Sequence, residues 1–135
     1  MHRINRRRLA TVLLAPVAAL AAWGFLRAVG IDFVLKDGST VDAGAVFAAA
    51  LVGALAAWPV VRWLEIHSHR ARAAWAFVGS TALSVSLVGP SWRADGGSAV
   101  ALIGLHVVTA IVVIAGFAGT LPAVRRATTR QPVRS

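Results

Sequence analysis

Apolar residues fall into four long stretches that short polar connections separate. Each stretch is about 20 residues long, which is the length that an α-helix needs to cross the hydrocarbon core of a bilayer. Because backbone polar groups in lipid must be satisfied within the segment itself, helices are the structure that we expect. The chain is predicted to be all-α, an integral membrane four-helix bundle over residues 9–119, with spans at about 9–29, 41–61, 71–89 and 98–119.

Local signals at the ends of these stretches predict where the helices begin and end. Ser39 followed by Asp42 fits a capping box at the start of the second helix. Gly89 and Pro90 together are typical of a helix end, which we expect for the third helix. Ser98 follows a glycine-rich turn and is predicted to cap the fourth helix.

Basic residues are distributed unevenly between the two ends of the predicted bundle. Residues 1–8, residues 62–72 around the connection between the second and third spans, and the residues after 119 carry eleven arginines, whereas the opposite end carries three basic residues, Arg27, Lys36 and Arg93. Because basic loops stay on the cytoplasmic side, both termini are predicted to be cytoplasmic. Residues 1–8 would form a basic N-terminus, and residues 120–135 a disordered basic cytoplasmic tail.

The N-terminal segment also resembles a secretory signal. A basic start precedes an apolar stretch, and Ala19, Leu20 and Ala21 form a possible cleavage site. The apolar stretch continues to about residue 29, which is longer than a typical signal core, so we expect the first span to be retained.

Composition supports a membrane protein and excludes several kinds of chemistry. Of the 135 residues, 58% are hydrophobic and 14% are charged, and the mean hydropathy is +0.73, which is too apolar for a soluble domain of this size. The chain contains no cysteine, which excludes disulfide bonds, thiolate catalysis and cysteine metal sites. The net charge of +9 lies in short clusters, which we interpret as contacts with anionic lipid headgroups rather than with nucleic acid.

His106 is the unusual residue of the fourth span, since it lies near the expected middle of the membrane. An ionisable group at that depth rarely faces lipid and usually has a partner. Ser80, Thr81 and Ser84 of the third span and Trp23 of the first lie at similar depth, and these five residues form the candidate buried polar site. We expect a neutral His106 that hydrogen-bonds Ser84 or Trp23. The functional alternative is a proton relay, a ligand contact or a metal ligand.

Two further patterns leave alternatives open. Glu65, His67 and His69 could bind a metal ion such as zinc, although a solvated loop is the simpler interpretation, and we expect no metal or other cofactor. Small residues at four-residue spacing indicate close helix packing, within one bundle or between copies of the chain. These stripes are Ala49, Gly53 and Ala57 in the second span, and Ala76, Ser80 and Ser84 in the third.

The stretch from residue 83 to residue 117 resembles an uncharacterised family of small four-span membrane proteins from actinobacteria. The motifs that carry the resemblance are Ser-Leu-x-x-Pro (Ser86, Leu87, Pro90) and Ala-Leu-x-x-x-His (Ala101, Leu102, His106). The arrangement of the four spans matches too, so the resemblance covers nearly the whole chain. It implies a fold and a membrane location. It implies no catalytic or binding residues.

The sequence therefore predicts a multi-pass protein of the cytoplasmic membrane. The function that we expect is non-catalytic, as an accessory or organising protein that acts through a membrane-protein partner. The alternative is a small homo-oligomeric transporter or channel. A membrane enzyme ranks last, because no catalytic constellation is present.

Overall fold

The computed structural model describes residues 2–122. Its helices form four spans that are each long and apolar enough to cross a membrane, which confirms the predicted all-α four-span fold. Helices α3 and α4 form one of these spans, with a single break at Leu87. The helices are α1 (His2–Ala28), α2 (Ala43–His67), α3 (Ala71–Ser86), α4 (Val88–Arg93) and α5 (Gly96–Ala118).

Helix α1 forms the two most extensive helix–helix contacts of the described bundle. It packs along both α2 and α5, whereas α3 packs mainly against α5 and makes less contact with α2. The main core joins α1, α2 and α5 through Val12, Ala15, Val61 and Phe117. Two of the four spans, α2 and α3, are therefore neighbours in sequence but only weakly packed against each other.

Arg8 holds three helices together at one end of the bundle, which we call the Arg8 end. The side chain is 2% exposed. Its guanidinium donates to Oε1 of Glu65 at the end of α2, at 2.5 Å, and to Oγ1 of Thr120 just after α5, at 3.3 Å. Such a pair fixes geometry because the guanidinium has several donors in a rigid plane.

The Arg8 end is more ordered than the sequence indicated. Helix α1 already begins at His2, within the segment predicted as a basic N-terminus. Thr120 and Leu121, assigned to the disordered tail, are buried. Residues 123–135 of the predicted tail lie outside the described residues.

The connection between α1 and α2 forms a lid at the opposite end, which we call the Phe33 end. Phe33 is fully buried and stacks on Trp23, with ring centroids 6.2 Å apart. Val34 and Thr40 form an isolated antiparallel bridge, and the turn between them needs the positive φ of 81° at Gly38. This lid encloses the ends of α1 and α5.

The helix boundaries at the Phe33 end differ from the predicted ones. Asp42, not Ser39, caps α2, because its carboxylate accepts from the backbone N–H of Ala45 at 2.7 Å. Ser39 instead donates its hydroxyl and backbone N–H to Asp37, and these bonds hold the pKa of that carboxyl below its usual value. The predicted capping box is wrong because the serine is part of the turn.

Two other predicted boundaries are also wrong. Helix α3 ends at Ser86 rather than at Gly89. Pro90 lies in the first turn of α4, where the N–H that proline lacks would have no acceptor within the helix. Helix α5 begins at Gly96, and Ser98 does not cap it. The Ser98 hydroxyl donates to the carbonyl of Asp32 and ties the lid to α5.

Close contact between α1 and α5 requires a glycine at position 116. A Cβ there would lie 3.1 Å from the Cβ of Thr11 and nearer still to its two terminal atoms. We expect Gly116→Ala to lower the free energy of unfolding by about 1–3 kcal/mol, because Thr11 is β-branched and buried and cannot move aside. Gly53→Ala is the matched control, since a Cβ at Gly53 meets nothing within 4 Å. Reversible unfolding in mixed micelles measures both, and equal stabilities of the two variants would contradict the packing.

The Arg8–Glu65 pair gives a second prediction. Glu65→Leu leaves a buried guanidinium without its counter-charge, and we expect the free energy of unfolding to fall by about 2–3 kcal/mol. This is less than for a fully buried pair, because the Glu65 side chain is 24% exposed. Arg8→Met with Glu65→Leu should cost clearly less than the sum of the single changes. Additive losses in the same unfolding assay would show that the pair is not coupled.

Candidate functional site

A groove runs along the bundle between α2 and α3, with α5 as its floor. Its volume is about 510 Å³. The wall from α2 consists of small residues, among them Ala45, Ala49 and Gly53, and the wall from α3 includes Gly79 and Ala82. The groove has the size of a ligand site and lies on a surface that faces lipid when the bundle spans a bilayer.

The groove exists because α3 is held to α5 rather than to α2. The indole Nε1 of Trp75 donates to the carbonyl of Ile114 at 3.0 Å, and Arg72 donates to the carbonyl of Ala118 at 3.1 Å. Gly79 lies directly against Ile114, where a Cβ would come within 2.7 Å of Cγ1. Residues 68–70 also bring α2 and α3 together at the Arg8 end, so the groove is confined to the part of the spans beyond it.

His106 lies on the floor of the groove and is half-buried. It is one residue from Val107, the centre of α5, so it is nearer to the middle of its span than the sequence predicted. The Nδ1 atom lies 2.8 Å from the carbonyl oxygen of Leu102, one turn earlier in the helix. Since a carbonyl oxygen has no proton, Nδ1 must be the donor, and a neutral imidazole then has a lone pair on Nε2.

Two hydroxyl groups that were not among the predicted site residues accompany His106 in the groove. Thr109 donates its hydroxyl to the carbonyl of Leu105 at 2.8 Å, and Ser86 donates to the carbonyl of Leu83 at 2.8 Å. Both hydroxyls use their proton within their own helix. Apart from the indole of Trp75, the other groove-lining side chains among the described residues are apolar.

The predicted partners of His106 lie elsewhere. Ser80, Thr81 and Ser84 are on the exposed face of α3, away from the groove. Ser84 donates to the carbonyl of Ser80 at 3.0 Å, and Thr81 donates to that of Phe77 at 2.9 Å. The predicted bond from His106 to Ser84 is therefore not formed, because a helical hydroxyl can be satisfied by its own backbone.

Trp23 belongs to the lid at the Phe33 end. Its indole Nε1 donates to the carbonyl of Val41 at 3.2 Å, so the predicted bond to His106 is not formed either. The guanidinium of Arg27 lies 5.7 Å from the centre of the Trp23 ring and 2.7 Å from Oδ1 of Asp32. Trp23 thus connects α1 to the lid at two points, Phe33 and Val41.

The residues considered for metal binding are also separated. Glu65 pairs with Arg8, and the ring of His67 stacks on Trp63 and hydrogen-bonds its carbonyl. Within residues 2–122, the structure contains no group of three His, Cys, Asp or Glu side chains that could hold a metal ion.

A periodic signal for the groove face was present in the sequence. Trp75, Gly79, Ala82 and Ser86 recur at intervals of three and four, which places them on one face of a helix. That face contains the largest side chain and the glycine of α3, both of which are typical of a packed surface. Ser80, Thr81 and Ser84 lie off this face.

These positions predict different effects for the two proposed partners. Trp23→Phe removes the bond to Val41 and should lower the free energy of unfolding by about 1 kcal/mol. Ser84→Ala should change it by less than about 0.5 kcal/mol, since that hydroxyl is exposed and bonds its own helix. Unfolding measurements on each variant, alone and combined with His106→Phe, test this. A coupling above about 1 kcal/mol between His106 and Ser84 would contradict the structure.

Comparison with known proteins gives a family and no activity. Residues 1–123 match the model of a family of unknown function, DUF6069. No curated protein matches the chain, and no solved structure does. Since the match extends from the first residue through all four spans, the chain belongs to the family of unknown function DUF6069.

Proposed function

We propose that this protein is a non-catalytic accessory protein of the membrane that holds a hydrophobic molecule of the bilayer in the groove between α2 and α3. The observation that carries the proposal is the groove itself, with about 510 Å³ of space and an almost entirely apolar lining. Ligand sites of about 300–1,000 Å³ that are mainly apolar, with a few polar groups, are typical of small-molecule binding.

The polar groups of the groove favour binding over catalysis. A hydroxyl becomes a nucleophile when an adjacent base accepts its proton. Thr109 and Ser86 donate their protons to backbone carbonyls, and the described hydrogen bonds include none from either hydroxyl to His106. The arrangement can orient a bound molecule and contains no activated nucleophile of this kind.

The transporter alternative has weaker support. A carboxylate within a span is a common means of coupling transport to protons. Glu65 is the one acidic residue within the described helices, and it lies at the Arg8 end in a pair with Arg8. This carboxylate is the counter-charge of a buried guanidinium and does not line the groove.

The proposal includes a location and an orientation. The four spans support a multi-pass membrane protein. The arginine-rich Arg8 end, with Arg62, Arg70 and Arg72 beside the start of α1, favours a cytoplasmic position for both termini and contact with anionic headgroups of the cytoplasmic membrane.

Filling the groove should remove the bound molecule. Gly53 lines the groove, and a Cβ there meets nothing within 4 Å, so Gly53→Leu directs an isobutyl group into the groove from an unobstructed Cβ position. Native mass spectrometry of gently extracted protein should show a small-molecule adduct on the wild type and its loss from Gly53→Leu.

Gly104→Leu is the matched control for this experiment. Gly104 also has open space around its Cβ position but does not line the groove, so its adduct should remain. An adduct that survives in both variants would place the molecule elsewhere. A bound protein of defined mass in place of a small molecule would overturn the proposed ligand class.

A further inference from the structure

The groove offers its ligand hydrogen-bond acceptors rather than donors. The protons on Thr109 Oγ1, Ser86 Oγ and His106 Nδ1 all point to carbonyls of their own helices. What each group can still present to its surroundings is a lone pair, on two hydroxyl oxygens and on Nε2 of a neutral imidazole.

The Nε2 atom of His106 is open to the groove. The described hydrogen bonds include none to this atom. No buried side-chain nitrogen or oxygen lacks a partner within the described part of the chain, so an unpaired Nε2 must be accessible. Because Nδ1 faces the α5 backbone, Nε2 lies on the far side of the ring, and the space that His106 lines is the groove.

We infer that the groove is selective for a neutral, chain-like amphiphile with a hydroxyl group inside its apolar body, and that His106 accepts the hydrogen bond from this hydroxyl. The inference rests on the proposed function and names the ligand class for the same site. Apolar walls suit the chain, and an accessible acceptor in an apolar surround gains most from a ligand that brings its own donor.

The depth of His106 determines where the hydroxyl must be. His106 is ten residues from Gly96, the first residue of α5, which corresponds to about 15 Å along the helix axis. A headgroup at the membrane surface does not reach this depth. A hydroxyl part of the way along an apolar chain does, and it leaves the rest of the chain against alanine and valine side chains of α2.

Three esters with the same chain test the inference. Methyl 12-hydroxystearate carries a donor, methyl 12-oxostearate carries only an acceptor at the same carbon, and methyl stearate carries neither. Dissociation constants from native mass spectrometry in lipid nanodiscs should favour the hydroxy ester about three- to tenfold over both others, the range that membrane hydrogen bonds support.

Variants assign the preference to His106. His106→Phe keeps an aromatic ring without the acceptor and should reduce the preference for the hydroxy ester to about onefold. Thr109→Val should keep most of the preference. Ser80→Ala, outside the groove on the exposed face of α3, should keep all of it.

The outcomes separate this inference from the proposed function. Equal binding of the three esters, abolished by Gly53→Leu, would overturn the inference and leave the groove as a ligand site. Tighter binding of the oxo ester would show that His106 presents a donor, which also overturns it. Absence of binding by all three esters, together with an adduct that Gly53→Leu does not affect, would overturn the proposed function itself.

Discussion

A side-chain proton without an acceptor is costly inside a bilayer, and this constraint arranges most of the polar side chains of the spans. Thr11, Thr81, Thr109 and His106 each bond the carbonyl four residues earlier. Hydroxyl groups that are satisfied in this way do not hold neighbouring helices together. The bundle depends instead on close approach at Gly116 and Gly79, on the indole bond from Trp75 to α5, and on the arginine bonds at the Arg8 end.

The groove follows from where the connections between spans are placed. At the Arg8 end, Arg8 fixes α1 to α2 and to the end of α5, and a three-residue connection brings the start of α3 beside α2. At the Phe33 end, the lid binds α1 and α5 through Trp23 and Phe33. Helix α3 runs alongside α5, because Trp75 and Gly79 pack against it, and α2 runs alongside α1. Two spans that diverge from a common turn leave a space between them.

The spans could be predicted from the sequence because length and hydropathy act over about 20 residues and do not depend on neighbours. The surroundings of His106 were predicted wrongly because its partners were selected by depth in the membrane, and depth alone does not tell which face of a helix points inward. Ser84 was selected for its depth, yet its own backbone satisfies it on the exposed face. The predicted capping of α2 by Ser39 was wrong for a related reason, because Ser39 donates a hydrogen bond to Asp37, two residues earlier. Asp42 was the nearer acceptor for the first helical N–H groups.

The chemistry of the groove is a consequence of its construction from helices in lipid. In these helices, serine, threonine and histidine side chains donate a hydrogen bond to a carbonyl three or four residues earlier. Each of these side chains can then offer only an acceptor lone pair to a ligand in the groove. His106 and Thr109 lie three residues apart and therefore share one face of α5, so both lone pairs belong to the same floor. A groove built in this way in an apolar medium is an acceptor site before any ligand arrives, and its selectivity is determined by which molecules bring a donor to that depth.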